Sequence, residues 1–505
     1  MGGLMKRSFF SSFFIVTAFS VLDRALGFFI KIYTSREVGA EGMGIYQIAF
    51  SVFAVFLSIS SGAISLVTSK LTSRCKNNAC NMAKIVTASL VLSLVLSVIL
   101  IVLYAVLFAP LGALLSHKVR TIVIFMLPTL VFSSVYASLR GNLWGREKFV
   151  CASIVEVIEQ IARIGMIFSL FALGFDKLIS SALAFSVGSM ASAIACIVFF
   201  VSQGGFLKLS KTELLQVSSK TAPITLSHLV GALSGTITSL LIPHLFSVSG
   251  YTTSQATALF GASVGMAIPL LFIPNTLVSS LSFMLLPKIG ALAGNKEYKK
   301  INDKINGALK FALFISCFFL ALYFTGGKTI CAIVYNDTLS GEFLTMISFC
   351  LIPLAVESIT FCIMNSLDME YKAFLNGIAG YLVLWLTCLL FYSSFSFKVL
   401  AVAYFLSYLT ITVLHFICIK RKTGLSFSII PTFTKCVFIT LFTCILNHNL
   451  FCITSSFSPL ISTVITTFIS LAFYTTLSLV LRVFSIDSVR VRTFKMKFKQ
   501  NTAHN

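Results

Sequence analysis

Apolar segments long enough to cross a lipid bilayer recur along the whole chain. Of the 505 residues, 57% are hydrophobic and only 11% are charged, with a mean hydropathy of +0.97. Because a spanning helix needs about 20 apolar residues, the sequence predicts an all-α integral membrane protein with about 14 spanning helices. No polar stretch is large enough for a soluble domain, which excludes a globular cytosolic enzyme. The predicted spans are 9–32, 44–67, 85–109, 121–142, 150–173, 178–201, 221–246, 257–282, 307–326, 343–365, 374–393, 399–419, 432–453 and 460–481.

The net charge of +22 is distributed by predicted side of the membrane. With the N-terminus placed in the cytoplasm, the cytoplasmic segments hold 28 Lys and Arg residues and the outer segments hold 6. This bias predicts a multi-pass protein of the cell membrane with both termini in the cytoplasm. It also explains the basic charge without a nucleic-acid partner.

The polar segment 203–220 separates six predicted helices from the eight that follow. We predict an N-terminal bundle at 1–202, a cytoplasmic linker at 203–220 and a C-terminal bundle at 221–420. Two additional helices at 421–482 and a basic tail at 483–505, attracted to anionic membrane lipids, complete the chain. A weak repeat between the second and eighth helices favours two related halves, which is a common transporter plan.

We single out seven of the ionisable residues that lie within segments otherwise apolar enough to span a membrane. A charge at membrane depth is costly, and it is retained where it lines a polar cavity or pairs across a bundle. Most of these charges fall in the first half of the chain, which favours a protein that moves a polar substrate. The seven residues are Asp23, Arg24, Lys31, Glu156, Glu159, Arg163 and Glu357.

Arg24 and Lys31 are seven residues apart, so they share one face of the first predicted helix. Two cations on an apolar helix suit a phosphate or diphosphate, because guanidinium supplies forked donors and ammonium a point charge. The alternative is an ion pair between Arg24 and a carboxylate of another helix, with Lys31 reaching the outer surface. Asp23 is rotated about 100° from Arg24 and is expected to contact a different neighbour.

On the fifth predicted helix, Glu156, Glu159 and Arg163 form one stripe. Glu159 and Arg163 are spaced for an i,i+4 ion pair, whereas Glu156 has no local partner and could pair with Arg24 or Lys31. Such carboxylates either hold helices together through ion pairs or couple transport to H⁺ or Na⁺. In the second case the carboxylate pairs alternately with a cationic side chain and with the bound H⁺ or Na⁺. Glu357 lies alone in the tenth predicted helix.

The sequence predicts neither a catalytic site nor a metal site. It contains no Walker A loop, no HExxH motif and no Ser/His/Asp set, so no covalent chemistry and no bound cofactor are expected. A coupling Na⁺ or H⁺ is the only ion that the carboxylates suggest.

Several motifs resemble the polysaccharide-exporter branch of the multidrug/oligosaccharidyl-lipid/polysaccharide (MOP) flippase superfamily, and most closely its sporulation members. They are LDRALGF at 22–28, GAEGMGIYQ at 39–47, EQIAR at 159–163, and the run from ATALFG at 256–261 to LPK at 286–288. The resemblance covers residues 6 to about 310 and weakens after about 430.

This resemblance implies two helical bundles that form a V-shaped central cavity and move a lipid-linked sugar by alternating access. It implies that Arg24 and Lys31 hold the diphosphate of an undecaprenyl-linked substrate, and we place Arg163 in the same candidate site. Two departures concern the seventh helix, where residues 236–239 are uncharged and His244 begins the HLF run that replaces a basic pair.

The predicted function is therefore a flippase for a lipid-linked oligosaccharide or peptidoglycan precursor, used in cell-wall or spore-cortex synthesis. One alternative is a Na⁺- or H⁺-coupled multidrug cation antiporter of the same superfamily, which would need uncompensated carboxylates in its cavity. Another is a non-transporting scaffold for wall-synthesis enzymes. The sequence leaves the sugar, the coupling ion and the oligomeric state open.

Overall fold

The structure is a computed structural model that describes residues 2–75, 78–294, 297–424 and 430–483. Within these ranges every regular element is a helix, which confirms the predicted all-helical membrane fold class. In chain order the α-helices are α1 (Gly2–Ser60), α2 (Ile64–Arg74), α3 (Ala79–Leu107), α4 (His117–Met126), α5 (Pro128–Gly145), α6 (Phe149–Ala172), α7 (Lys177–Ser202), α8 (Lys211–Val248), α9 (Thr253–Phe260), α10 (Ile268–Gly294), α11 (Tyr298–Tyr335), α12 (Thr338–Ile347), α13 (Leu351–Ser366), α14 (Glu370–Phe395), α15 (Val399–Thr423), α16 (Ile430–Ile453) and α17 (Pro459–Val480). A π-helical segment, Gly261–Ala267, joins α9 to α10.

Helix α1 is interrupted at Gly39. This residue has φ 70° and ψ −175°, a backbone conformation that is essentially restricted to glycine. An added Cβ would meet nothing within 4 Å, so the backbone angle rather than crowding requires glycine here. The first and second predicted helices, 9–32 and 44–67, lie mainly on the two sides of this break, and the second one ends in α2.

Twelve helical regions in the described part of the chain are long and apolar enough to cross a membrane, by length and composition. The prediction of 14 differs from this number in two places. The first region, Ala18–Arg74, covers 57 residues and includes the break at Gly39. Helix α6 is not among the twelve, because it carries three charged residues close together: Glu156, Glu159 and Arg163. The protein is a multi-pass membrane protein, and its orientation stays a prediction.

The chain forms two compact units, residues 1–244 and 245–505. In the first unit, α2 and α5 approach closely at the two glycines of a GxxxG motif, Gly141 and Gly145. A Cβ at Gly141 would lie 2.7 Å from the Ser65 carbonyl oxygen, so only glycine allows this contact between backbones. Hydroxyl pairs join α3 to its neighbours, including Ser97 with Ser134 at 2.7 Å.

Part of the predicted linker 203–220 is helical, because α8 begins at Lys211. The first turns of α8 pack on α2 and α3, where Val217 is fully buried beside Leu71 and Ile85. Glu213 lies 3.8 Å from the Lys84 ammonium. These contacts attach the start of α8 to the first unit. The division of the chain into functional domains stays a prediction.

The core of the second unit is built mainly from α10, α11, α13, α16 and α17. Asn447 of α16 donates to Thr325 of α11 at 3.3 Å and accepts from Ser470 of α17. The two additional helices at 421–482 therefore pack on the rest of this unit rather than standing apart from it. Of the predicted basic tail, residues 484–505 lie outside the described residues.

Candidate functional site

Helices α1 and α6 pack side by side and bring Asp23 to Gln160. The Gln160 Nε2 group donates to Asp23 Oδ1 at 3.0 Å, so a neighbour of Asp23 is Gln160 of α6. The Gln160 Oε1 atom is buried and has no hydrogen-bond partner within the described structure. Sequence reasoning missed Gln160 as a site residue, although it lies four residues after Glu156, on the same face of α6.

Arg24 is exposed and lies one helical turn before Gly27. Within the described residues its guanidinium makes no ion pair, so the alternative of a structural pair with a carboxylate is not seen there. A Cβ at Gly27 would lie 3.8 Å from the Gln160 side chain, which is ordinary van der Waals contact. Among the residues that the structure describes, Arg24 is thus a cation without an ion pair, next to the α1–α6 contact.

A cavity of about 310 Å³ lies between α1, α6 and α7 in the first unit. Its two charged lining residues are Lys31 and Arg163, and its wall includes α1 residues from both sides of Gly39. The structure therefore brings two of the three predicted substrate-binding cations together, whereas Arg24 does not line this cavity. The polar groups that sequence reasoning missed here are Thr34, Tyr46, Gln47 and Ser181.

Arg163 is held in place by three contacts. Its Nη2 bonds Glu159 Oε1, the i,i+4 pair that the spacing predicts. Its guanidinium lies 4.3 Å from the Phe185 ring centroid, a cation–π contact. A Cβ at Gly188 would lie 2.4 Å from Arg163 Cγ, so a glycine on α7 makes room for the arginine stem.

Lys31 gives the cavity its net positive charge. The charge of Arg163 is compensated by Glu159, whereas Lys31 makes no ion pair with any residue that the structure describes. An ammonium without a counter-ion in an otherwise apolar segment favours an anionic ligand.

Glu156 pairs with Arg140 of α5, so the hypothesis that Arg24 or Lys31 is its partner is wrong. Counting basic residues by side assigned Arg140 to a cytoplasmic segment at 140–148, at the edge of the predicted span 121–142, but α5 continues to Gly145 and carries Arg140 alongside α6. The guanidinium also lies 4.0 Å from the Trp144 ring and 5.5 Å from the Tyr136 ring. Tyr136, Arg140 and Trp144 follow one another at intervals of four residues, and this spacing is the sequence signal that identifies Arg140 as part of a helix.

Replacing Arg140 with Gln is expected to destabilise the first unit by about 1–3 kcal/mol, because the Glu156 carboxylate loses its charged donor. Both side chains are only about one-quarter exposed or less, at 25% and 20%, so water compensates incompletely. The double variant Arg140→Gln/Glu156→Gln should recover part of the loss, since neither amide leaves a charge unpaired. Thermal unfolding of the single and double variants in lipid nanodiscs measures this coupling. Strictly additive losses would contradict the ion pair.

Glu357 is the only one of the seven charges in the second unit. It lies half-buried on α13, and the phenols of Tyr381 and Tyr408 are within electrostatic range of its carboxylate. Its neighbour Ser358 donates to Asn275 Oδ1 at 3.0 Å. Within the described residues this carboxylate makes no ion pair. No group of three His, Cys, Asp or Glu side chains in that part of the chain could hold a metal ion.

The chain belongs to the polysaccharide biosynthesis protein family, whose model matches residues 9–282, more than half of the 505 residues. Membership places it in the MOP superfamily and confirms the predicted family and the prediction of a transporter rather than an enzyme. Stage V sporulation protein B of Bacillus subtilis (strain 168) is 23% identical over 399 residues, which cover 75% of this chain and 77% of that protein.

Two solved structures show the same fold. The lipid II flippase MurJ in an inward closed conformation has a TM-score of 0.72 at 17% identity, covering 92% of this chain and 99% of that chain. An inward-facing multidrug resistance transporter of the MATE family has a TM-score of 0.67 at 14% identity, covering 80% and 94%. The protein is thus a MOP-superfamily transporter related to polysaccharide exporters and sharing the fold of a lipid II flippase.

Proposed function

We propose that this protein moves a lipid-linked sugar diphosphate across the cell membrane by alternating access. The observation that carries this proposal is the cavity of the first unit, where the Lys31 ammonium has no counter-ion among the described residues. A peptidoglycan precursor is the substrate class we favour. It is supported by the relation to a stage V sporulation protein and by the fold shared with a lipid II flippase.

No covalent step is needed for this function. The barrier to moving a diphosphate through hydrocarbon is the loss of its hydration, and a cationic, polar cavity replaces part of that hydration. Lys31 supplies a point charge, and Arg163 adds a guanidinium whose Nε is buried without a hydrogen-bond partner in the described structure. The hydroxyls of Tyr46 and Ser181 and the amide of Gln47 are suited to sugar hydroxyls.

Arg24 is a second anion contact in this proposal. It is exposed, lies on the same face of α1 as Lys31, and makes no ion pair within the described residues. A substrate phosphate could therefore be bound first by the guanidinium of Arg24 and then by the ammonium of Lys31, two turns further along the helix. This pathway along α1 accounts for two cations at a seven-residue spacing.

We place fourteen membrane crossings in the chain, with the N- and C-termini in the cytoplasm. The break at Gly39 supports two crossings in α1 and α2, and the ion pairs of Glu156 and Glu159 support a crossing by α6, because paired charges cost less at membrane depth. The V-shaped central cavity stays a prediction.

Glu357 is the carboxylate that best fits ion coupling. Glu156 and Glu159 are both paired with arginines, whereas Glu357 has no ion pair within the described residues. A carboxylate among hydroxyl groups can bind H⁺ or Na⁺ and release it again without breaking an ion pair. The same residue supports the second candidate function, a cation antiporter, because such a protein needs an uncompensated carboxylate.

Ligand binding to the purified protein in nanodiscs separates the two functions. We expect undecaprenyl diphosphate sugars to bind at least about tenfold more tightly than undecaprenyl monophosphate, because the second phosphate adds one charge-assisted contact. We expect an organic cation such as ethidium not to compete. Ethidium transport that depends on an imposed ion gradient and on Glu357, with no binding of the lipid diphosphate, would establish the antiporter instead.

A further inference from the structure

A second, smaller cavity of about 80 Å³ lies in the first unit, where α3 begins and α5 and α7 end. Part of its lining belongs to the predicted cytoplasmic linker 203–220, so we expect this cavity on the cytoplasmic side of the membrane. Its polar lining residues are Asn142, Arg146 and Gln203. A cavity needs only about 10–15 Å³ of such volume to hold one water, so this one has room for a larger polar group.

Two buried oxygen atoms at this cavity have no hydrogen-bond partner within the described structure. They are Asn142 Oδ1, in a residue that is only 2% exposed, and Gln203 Oε1. A buried acceptor left without a donor costs about 1–3 kcal/mol. Both amides lie at the same cavity, so a ligand with hydroxyl donors could satisfy both.

The same cavity has a positive electrostatic environment. Arg146 lines it and makes no ion pair with the described residues. Residues of the first two turns of α3 also line it, and α3 is a 29-residue helix whose N-terminus attracts anions. The side chain of Asn78 caps the Asn81 N–H, and among the described residues the N–H groups of Ala79 and Cys80 have no acceptor. An anion would therefore be stabilised next to the two amide acceptors.

The surface next to the cavity is apolar and exposed. Phe206 lines the cavity and is 46% exposed, and it is followed by Leu207 and Leu209, which are 59% and 67% exposed. A soluble anion would leave these side chains uncovered. The acyl chains of a lipid would cover them, and basic pockets between helix ends at a membrane surface are typical lipid headgroup sites.

We propose that this cavity binds the headgroup of an anionic glycerophospholipid that carries free hydroxyl groups. The phosphate lies between Arg146 and the N-terminus of α3, and the headgroup hydroxyls donate to Asn142 Oδ1 and Gln203 Oε1. The acyl chains pack on Phe206 and Leu207. The bound lipid joins the α7–α8 connection to α3 and α5, at a site separate from the substrate cavity.

Native mass spectrometry of the purified, delipidated protein tests this site. Phosphatidylglycerol is added in detergent, and lipid adducts are counted for the wild type, Arg146→Gln and Asn142→Leu. We expect one tightly held phosphatidylglycerol in the wild type and at least a fivefold lower occupancy in both variants. The matched control is Arg74→Gln, because Arg74 is an exposed arginine at the end of α2 that does not line the cavity.

Three results would overturn the proposal. They are no retained phosphatidylglycerol in the wild type, an equal loss in Arg74→Gln, and displacement of the lipid by soluble glycerol phosphate at a lower concentration than the lipid itself requires. The last result would identify a soluble phosphate as the ligand. Because Asn142→Leu could fail to fold, the shift in melting temperature on adding phosphatidylglycerol is also measured for Arg146→Gln. A shift that equals the wild-type shift would contradict a headgroup contact at Arg146.

Discussion

Replacing Lys31 with Met is expected to lower the rate of flipping of an undecaprenyl diphosphate sugar by about 10- to 100-fold. The substitution keeps an unbranched side chain of similar length and removes the ammonium that lines the cavity. A hydrogen bond to a charged group contributes about 1.5–3 kcal/mol, which corresponds to this range. Stability should not fall, because Lys31 has no ion pair within the described residues to lose and a charge is removed from an apolar segment.

The matched control is Lys177→Met, which removes a lysine that is exposed and bonded to Glu37 at 2.6 Å, outside the cavity lining. Proteoliposomes containing equal amounts of each variant are compared by access of a quencher to a fluorescent substrate. Where the wild type flips the substrate, an equal rate for Lys31→Met would remove Lys31 from the substrate pathway.

Replacing Gly145 with Leu is expected to destabilise the first unit by about 3 kcal/mol or more, or to prevent its folding. An added Cβ would lie 1.9 Å from Thr72 Oγ1 and 2.8 Å from the Ser69 carbonyl oxygen. The Thr72 hydroxyl is itself bonded to the Thr68 carbonyl at 2.7 Å, so it cannot turn away without losing that bond. Overpacking usually costs about 1–3 kcal/mol, and a contact with backbone atoms lies at the upper end.

The matched control is Gly165→Leu on α6, where an added Cβ meets nothing within 4 Å. Thermal unfolding in nanodiscs and expression level report the difference between the two variants. If Gly145→Leu melted at the same temperature as Gly165→Leu, the close approach of α2 and α5 would be wrong.

Local features of the site could be predicted from the sequence. The Glu159–Arg163 pair needs only the helical spacing of four residues, and the sharing of one face by Arg24 and Lys31 needs only a spacing of seven. The contact of Asp23 with Gln160 did not follow from this geometry, because it joins two helices that are far apart in sequence. The helical membrane class follows from hydropathy alone.

Contacts between distant segments could not be predicted in this way. Arg140 was assigned to a cytoplasmic segment because counting basic residues by side favours placing each one outside the membrane, and the helical spacing of Tyr136, Arg140 and Trp144 was not weighed against that count. The cavity joins Lys31 to Tyr46 across the break at Gly39 and to Ser181 on α7, and a periodicity argument treats each helix separately. The charges of α6 also have partners that periodicity does not give in full, since Glu156 pairs with Arg140 of α5 and Glu159 pairs with Arg163 within α6.

The most direct test is flipping by the wild-type protein in proteoliposomes. A fluorescent undecaprenyl diphosphate sugar is placed in both leaflets, and its access to an external quencher is followed with and without an ion gradient. The account predicts that nearly all of the substrate becomes accessible with the protein, compared with about half in empty liposomes, where only the outer leaflet is reached. Access that stays at the level of empty liposomes, for several sugars and with Na⁺ and H⁺ gradients imposed, would contradict it.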